Sequence, residues 1–369
     1  MSISSLRTSV WDLAVSQSIL TLQMEETRLF GSGLNRTLSG NRSFTTDATE
    51  PKPYNASDKG LVISRGLRQL ISKDELDAYR RGGQIITQLR KTVPAMVHEG
   101  GSVRELCERV EAEIIALGGK PAFPCNVSIN EVAAHYTSPW DDASVLPKDS
   151  VVKVDFGVHI DGYINDSAVT VSLSPIYRSM IEVAEEALRA GISRIAHGVR
   201  FSDVGEQIER TIAQYGCRPI QNLTGHKVER YTIHAGRSVP NISGPTPGRF
   251  EAGDVYAIEP FVTLKDAAGR VEDSDQVFIY RAVREKGARS ESAKRIVEHV
   301  RATYRTLPFA SRWLYASLGK SVVEKGFLEA VSAKCISGYP VLVEASGRVV
   351  TQAEHTVVVK ENDCEVLAS

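Results

Sequence analysis

Two stretches of the chain, 98 residues apart, repeat one another. Leu106–Pro121 reads LCERVEAEIIALGGKP and Val204–Pro219 reads VGEQIERTIAQYGCRP. Five of the sixteen aligned positions are identical: Glu108/Glu206, Glu111/Glu209, Ile114/Ile212, Gly118/Gly216 and Pro121/Pro219. Most apolar positions also correspond. Each copy reads as an amphipathic helix stopped by glycine, with proline three residues on. A period of this size means two pseudo-symmetric lobes, not a solenoid, and a cleft between lobes is a natural ligand site. Length by itself, 369 residues, would allow two or three separate domains. The repeat favours one duplicated fold.

Helix signals support this organisation. Ser72-Lys73-Asp74-Glu75 is a capping box opening a helix to about Lys91. Ser102 opens a second helix, Ser174-Pro175 a third running toward Ala196, and Ser202 a fourth ending at Gly216. Strands are expected at 151–158 and 163–173 around a turn at Ile160-Asp161-Gly162, and at 255–264, 276–283, 339–343 and 355–359. Residues 285–335 read as an inserted helical subdomain, with helices at 292–306 and 309–318 and a capping box at Ser321–Glu324 before a third. The fold class is α+β. The expected boundaries are an N-terminal extension at 1–62, a catalytic domain at 63–284 and 336–369, and the insert at 285–335.

Composition excludes several classes. No stretch approaches the roughly 20 apolar residues of a membrane helix, so no membrane association is expected. The five cysteines, Cys107, Cys125, Cys217, Cys335 and Cys364, form no C-x-x-C pair. They predict reduced thiols and a cytoplasmic protein rather than a disulfide framework. The first 60 residues hold 10 Ser and 7 Thr and read as a disordered extension, apart from a short amphipathic stretch between Val10 and Leu22. The net charge of −1 is a cancellation. Residues 281–325 carry eleven Lys/Arg against four Glu, so the remainder is −8.

Carboxylates stand where strands disfavour them. Asp155 in Val-Lys-Val-Asp-Phe-Gly and Asp166 in Ile-Asn-Asp-Ser-Ala occupy the two arms of a Val- and Ile-rich hairpin. Paired strands bring same-face side chains to about 5 Å, close enough to share a cation. Glu259 in Ala-Ile-Glu-Pro-Phe and Glu354 in Gln-Ala-Glu-His-Thr lie among apolar strand residues, and His226 follows a glycine. A buried carboxylate must be paired or bind metal. Four carboxylates and a histidine suit two divalent cations such as Mn, Co, Fe or Zn. Two ions about 3.5–4 Å apart are the common arrangement for activating water.

The segments AFPCNVSINEVAAHYTSP (122–139), KVDFGVHIDGYINDSAVTV (153–171), NLTGHKVERYTIHAGRSVPN (222–241), YAIEPF (256–261) and TQAEHTVVV (351–359) resemble the methionine aminopeptidase family in its type 2, archaeal-like branch. The resemblance spans most of residues 70–369, in the family's order. It implies the pita-bread fold, whose two similar halves match the repeat. It implies two divalent metal ions: Asp155 on one, Asp166 and Glu354 bridging both, and His226 and Glu259 completing the second. His135 and His234 match the family's substrate-side histidines. Phe123, Ile233 and Tyr339 fall where the family lines its methionine pocket, and Glu259 is the candidate proton shuttle. The 95 residues from Glu259 to Glu354 contain the insert that type 1 enzymes lack. One departure is Phe278-Ile279-Tyr280, which stands where the eukaryotic pattern has a histidine.

The implied activity is removal of the initiator methionine from nascent polypeptides whose second residue is small, by a monomer. Two alternatives are a pita-bread peptidase cleaving Xaa-Pro bonds, and a relative that docks on the ribosome or RNA through the basic insert. These are distinguished by release of Met from Met-Ala-Ser against cleavage of an Xaa-Pro peptide, and by the salt dependence of ribosome association.

Overall fold

The computed structural model describes residues 71–368. The expected N-terminal extension and its short apolar stretch lie outside the described residues. The first half comprises α1 (Lys73–Thr92), α2 (Val103–Ala116), β1 (Lys120–Pro121), β2 (Asn126–Ile129), β3 (Val132–Ala134), β4 (Val151–Ile160) and β5 (Tyr163–Ser172). The second comprises α3 (Arg178–Ile192), α4 (Phe201–Gln214), β6 (Cys217–Pro219), β7 (Thr224–Val228), β8 (Ser238–Pro240), β9 (Val255–Ile258) and β10 (Phe261–Leu264). There follow β11 (Val271–Ala282), α5 (Glu291–Thr303), β12 (Phe309–Ala310), α6 (Ser311–Leu318), α7 (Lys320–Ser332), β13 (Ile336–Glu344), β14 (Val350–Gln352), β15 (His355–Val359) and β16 (Cys364–Val366).

The repeat is visible as repeated structure. Helices α2 and α4 each end in a glycine at positive φ (Gly118 at 87°, Gly216 at 70°), and each is followed directly by a short strand, β1 or β6. Glycine is required there because the left-handed turn that ends each helix penalises any Cβ. In the first half, α1 and α2 lay Ile86, Leu89, Val110 and Ile114 on Val127, Val154, Phe156 and Val158 of the sheet β1-β4-β2, with β5 paired to β4. In the second, α3 and α4 pack Leu188, Val204 and Ile208 against Tyr256, Ile258 and Val357 of the sheet β16-β15-β9-β7-β8. Each fully buried aliphatic side chain contributes about 1.5–3 kcal/mol. Among the described residues no helix is long and apolar enough to cross a membrane.

Several boundaries differ from the sequence reading for local reasons. The Ser72 capping box forms as expected. Ser174-Pro175 instead opens a 3-10 turn (Pro175–Tyr177) without a side-chain cap, and α3 begins at Arg178. Helix α4 begins one residue before Ser202, which sits in its first turn. Gly319, at φ 79°, already starts α7, so Ser321 lies inside that helix rather than capping it. The strand expected over 255–264 is broken at Glu259-Pro260 into β9 and β10. Phe309-Ala310, expected to begin a helix, pairs with Ile279 and Tyr280 of β11. The helices between β11 and β13 therefore enclose their own core around Ile296, Phe309 and Phe327 and also extend a sheet of order β12-β11-β13-β3.

Candidate metal centre

The hairpin β4–β5 turns through Asp161 and Gly162, both at positive φ (52° and 93°), the two-residue turn that matches strand twist. Its register sets Asp155 opposite Ala168 and Asp166 opposite Gly157. The two aspartates are thus diagonal neighbours on one face, not a directly opposed pair. Gly157, between them on that face, makes room for Phe123: a Cβ there would meet the Phe123 ring at 2.2 Å.

The second half supplies the rest. His226 on β7 pairs with Ala257 of β9. Pro260 ends β9 and leaves Glu259 at the strand end, where Asn241 Nδ2 donates to its main-chain carbonyl at 2.9 Å. His355 pairs with Ile258, so the same register sets Glu354 opposite Glu259. An isolated bridge between Ala168 and Glu354 joins the two halves at this point. One ligand atom each from Asp166, His226 and Glu354 lies within 4.8 Å of the other two, and all three residues are buried. His226 Nε2 is 3.6 Å from Asp166 Oδ2 and 3.4 Å from Glu259 Oε1.

Electrostatics mark the cluster as one arranged for cations. Burial pushes the Asp155 carboxyl up to about 7. Asp166, Glu259 and Glu354 are raised well above the carboxylate range, by burial first and then by neighbouring charge: Asp155 acts on Asp166, Asp166 and Asp155 on Glu259, and Asp166, Glu259 and Asp155 on Glu354. Burial holds His226 down to about 3, with His234 beside it adding to the effect. His226 is therefore neutral at pH 7, and its close approaches to Asp166 and Glu259 are not ion pairs. Asp155 Oδ1 and Asp166 Oδ1 are buried with no hydrogen-bond partner. Buried oxygens left unsatisfied beside a neutral imidazole fit hard or borderline divalent cations, and four carboxylates match the charge of two such ions.

The cluster lines a cavity of about 430 Å³. Asp155, Asp166, His226, Glu259 and Glu354 border it, and so do Phe123, His135, Ile233, His234 and Tyr339. Every site residue expected from the sequence therefore borders this one cavity. Ile279 also borders it, in the segment that departs from the eukaryotic pattern. His135 sits at φ 67°, an uncommon conformation for a residue with a Cβ and one that clusters at functional sites. Its Nδ1 lies 3.2 Å from the Pro340 carbonyl oxygen. That oxygen only accepts, so Nδ1 carries the ring proton. Burial keeps His135 and His234 below the usual histidine range, His234 at about 4.

Supporting residues escaped the sequence reading. Arg90, on α1, donates to the main-chain oxygen of Ala168 (2.7 Å) and of Glu354 (3.4 Å), and pairs with Glu185 of α3. Thr356 Oγ1 accepts from the Asp166 amide at 2.7 Å, and Ser167 Oγ donates to the Glu354 carbonyl at 2.9 Å. Gln352 Nε2 donates to Glu354 Oε2 at 3.2 Å. Lys153, wholly buried, donates to the carbonyls of Asn130 and Val350, tying β4 to the strand before Glu354. Ser167, Gln352 and Thr356 adjoin or flank the ligands in sequence, which was a usable signal. Arg90 lies on an ordinary amphipathic helix and gave none.

Comparisons with known proteins agree with this geometry. Residues 77–299 match metallopeptidase family M24. The chain is 42% identical to a methionine aminopeptidase of Methanothermobacter thermautotrophicus over 295 residues, covering 79% of this chain and 98% of that one. It is 43% identical to one of Thermococcus kodakarensis over 289 residues, covering 78% and 97%. Among solved structures, a thermophilic Arx1 superposes with a TM-score of 0.69 at 19% identity, covering 81% of this chain and 91% of that one. Methionine aminopeptidase from Thermotoga maritima gives 0.59 at 21%, covering 82% and 99%. Prolidase from Pyrococcus furiosus gives 0.53 at 15%, covering 82% and 66%. These three share the fold. The sequence relatives and the family match together place this chain in metallopeptidase family M24, among its methionine aminopeptidases.

Proposed function

We propose that this protein is a dinuclear-metal methionyl aminopeptidase that removes the N-terminal methionine from polypeptides with a small second residue. The observation that carries the reading is one cavity in which four carboxylates, Asp166 and Glu354 buried and Asp155 and Glu259 half-buried, meet a neutral histidine and an apolar wall. Asp155, Asp166, His226, Glu259 and Glu354 are the metal ligands in this proposal, and Co, Mn, Fe or Zn all suit the donor set. Bound there, two divalent ions supply Lewis-acid polarisation of the scissile carbonyl and lower the pKa of a water.

The chain's own residues do the rest. Phe123, Ile233 and Tyr339 receive the methionine side chain, a flexible thioether suited to apolar and aromatic surroundings. The deep carboxylates favour a free α-amine, which confines cleavage to chain ends. His135, with Nδ1 committed to Pro340, offers Nε2 as an acceptor for the substrate's N–H. Among the described residues His234 makes no such hydrogen bond, and it is the better donor to the oxygen that gains charge in the transition state. Glu259 accepts the proton of the attacking water and hands it to the leaving amine. We assign residues 285–335 as the insert of the type 2 branch, and place the enzyme as a monomer in the cytoplasm, where its five unbridged cysteines are at home.

The test is release of Met from Met-Ala-Ser. Hydrolysis is expected, lost on chelation and restored by Co or Mn. Cleavage of an Xaa-Pro peptide without Met release would replace this reading with the prolidase-like one. Gly157→Ala is a sharper probe of the pocket. Its new methyl must displace the Phe123 ring, so KM for methionyl peptides should rise about tenfold or more, matching the 1–3 kcal/mol of an overpacked site, with metal content unchanged.

Docking on ribosomal RNA is an additional reading for the insert. It draws on fewer charges than the sequence count, because Arg312 is buried against Glu111, and Arg301, Lys294 and Lys320 lie beside glutamates. Neutralising Arg295, Arg301 and Arg305 should abolish any salt-sensitive ribosome association.

A further inference from the structure

Among the described residues, one cation near the cavity wall makes no ion pair. Arg237, which borders the cavity, is held by Glu251 at 3.1 Å. Arg281 is exposed and among the described residues makes no ion pair. Its strand β11 pairs Ile279 with Tyr339 and Arg281 with Ser337. Ile279 and Tyr339 both border the cavity, and strand alternation puts Arg281 on the same face as Ile279. Tyr280, between them, points the other way into the insert core against Phe327. Arg281 is also close enough to act on a group in the wall. Its guanidinium offsets part of the burial that raises Tyr339. Two residues along a strand span about 6.8 Å, the length of about two extended peptide residues. A substrate that leaves the cavity alongside β11, from Ile279 toward residue 281, carries its third and fourth residues past Arg281.

We propose that Arg281 is a specificity residue that favours methionyl peptides with acidic side chains at positions three and four. The proposal rests on the aminopeptidase reading above. Exposed ion pairs are modest, so the expected preference is about two- to five-fold in kcat/KM at low salt. It should fade near 0.5 M salt, where screening reaches within about 4–5 Å.

The experiment compares Met-Ala-Glu-Glu-Gly with Met-Ala-Lys-Lys-Gly on the metal-loaded, full-length protein, and reads the ratio of the two kcat/KM values. A ratio cancels any loss common to both peptides. The wild type should favour the acidic peptide, Arg281→Gln should bring the ratio to near one, Arg281→Lys should keep it, and Arg281→Glu should invert it. A wild-type ratio at or below one, or a ratio that Arg281→Gln and Arg281→Glu leave within twofold of the wild type, overturns the proposal. If neither peptide releases Met, the aminopeptidase reading itself is at fault and this proposal falls with it.

Discussion

Glu354→Gln is expected to lower kcat/KM for Met-Ala-Ser by about 10³-fold or more while making the metal-free protein more stable at pH 8. The substitution keeps the shape of the side chain and its neighbours Gln352 and the Ala168 bridge. It removes one of the four charges that make the cavity fit for two cations, and each 1.36 kcal/mol of lost transition-state stabilisation is a factor of ten. The stability gain has the opposite sign for a clear reason. Glu354 is raised well above the carboxylate range by burial and by Asp166 and Glu259. An acid whose folded pKa is raised costs nothing below its unfolded value of about 4.3. Its cost grows as pH rises from there towards the folded pKa. The gain should therefore be absent near pH 4 and present at pH 8. Thermal denaturation of the chelated proteins at both pH values, with metal content and turnover measured alongside, checks both halves. A variant that retains wild-type turnover and two bound ions removes Glu354 from the ligand set.

The second large effect concerns a residue that does not border the cavity. Arg312→Met should destabilise the protein by about 3–5 kcal/mol, the usual result of stripping a buried charge of its partner. Glu111, in the repeated helix α2, accepts from Arg312 of α6, from Trp313 Nε1 at 2.9 Å and from the Cys125 amide at 3.0 Å. Arg312 also donates to Thr137 Oγ1 at 2.6 Å and to the Ser138 carbonyl at 3.1 Å. The pair is 3% and 10% exposed, which separates it from surface pairs worth at most about 1 kcal/mol. Glu111→Leu with Arg312→Met should recover most of the single-variant loss, because no unpaired charge remains. Chemical denaturation of the two single variants and the double variant forms the test, and strictly additive losses would show that the two side chains do not act as a pair.

These two residues also show where sequence reading succeeds and where it stops. Asp155, Asp166, Glu259 and Glu354 were legible because a carboxylate on an apolar strand is an anomaly that demands a cation or a partner. Pro260 is visible in the sequence, yet 255–264 reads as one continuous strand, whereas the structure ends β9 before Glu259-Pro260. In the sequence Arg312 reads as part of the basic face of the insert, because nothing local distinguishes it from Arg301 or Arg305. Its burial is explained by Glu111, 201 positions away, with Thr137 and Ser138, 175 and 174 positions away. The same holds for Arg90, whose acceptors lie 78 and 264 positions off. Short strands such as β1, β3, β6 and β8, of two or three residues, carry too little periodicity to be seen before their partners are in place. Helix starts failed where the backbone supplied its own beginning, as Gly319 does for α7.

The bridge between Ala168 and Glu354 has a consequence for how such an enzyme comes into being. Its candidate ligands arrive in the order Asp155, Asp166, His226, Glu259, Glu354, and only β15 and β16 follow the last of them among the described residues. On the proposed ligand set, a chain synthesised as far as Glu259 holds the other four candidate ligands but not the carboxylate of Glu354, and it is expected to be inert beside N-termini it would otherwise trim. With the proposed ligand set, competence then waits on the strand after Glu354 joining the seam.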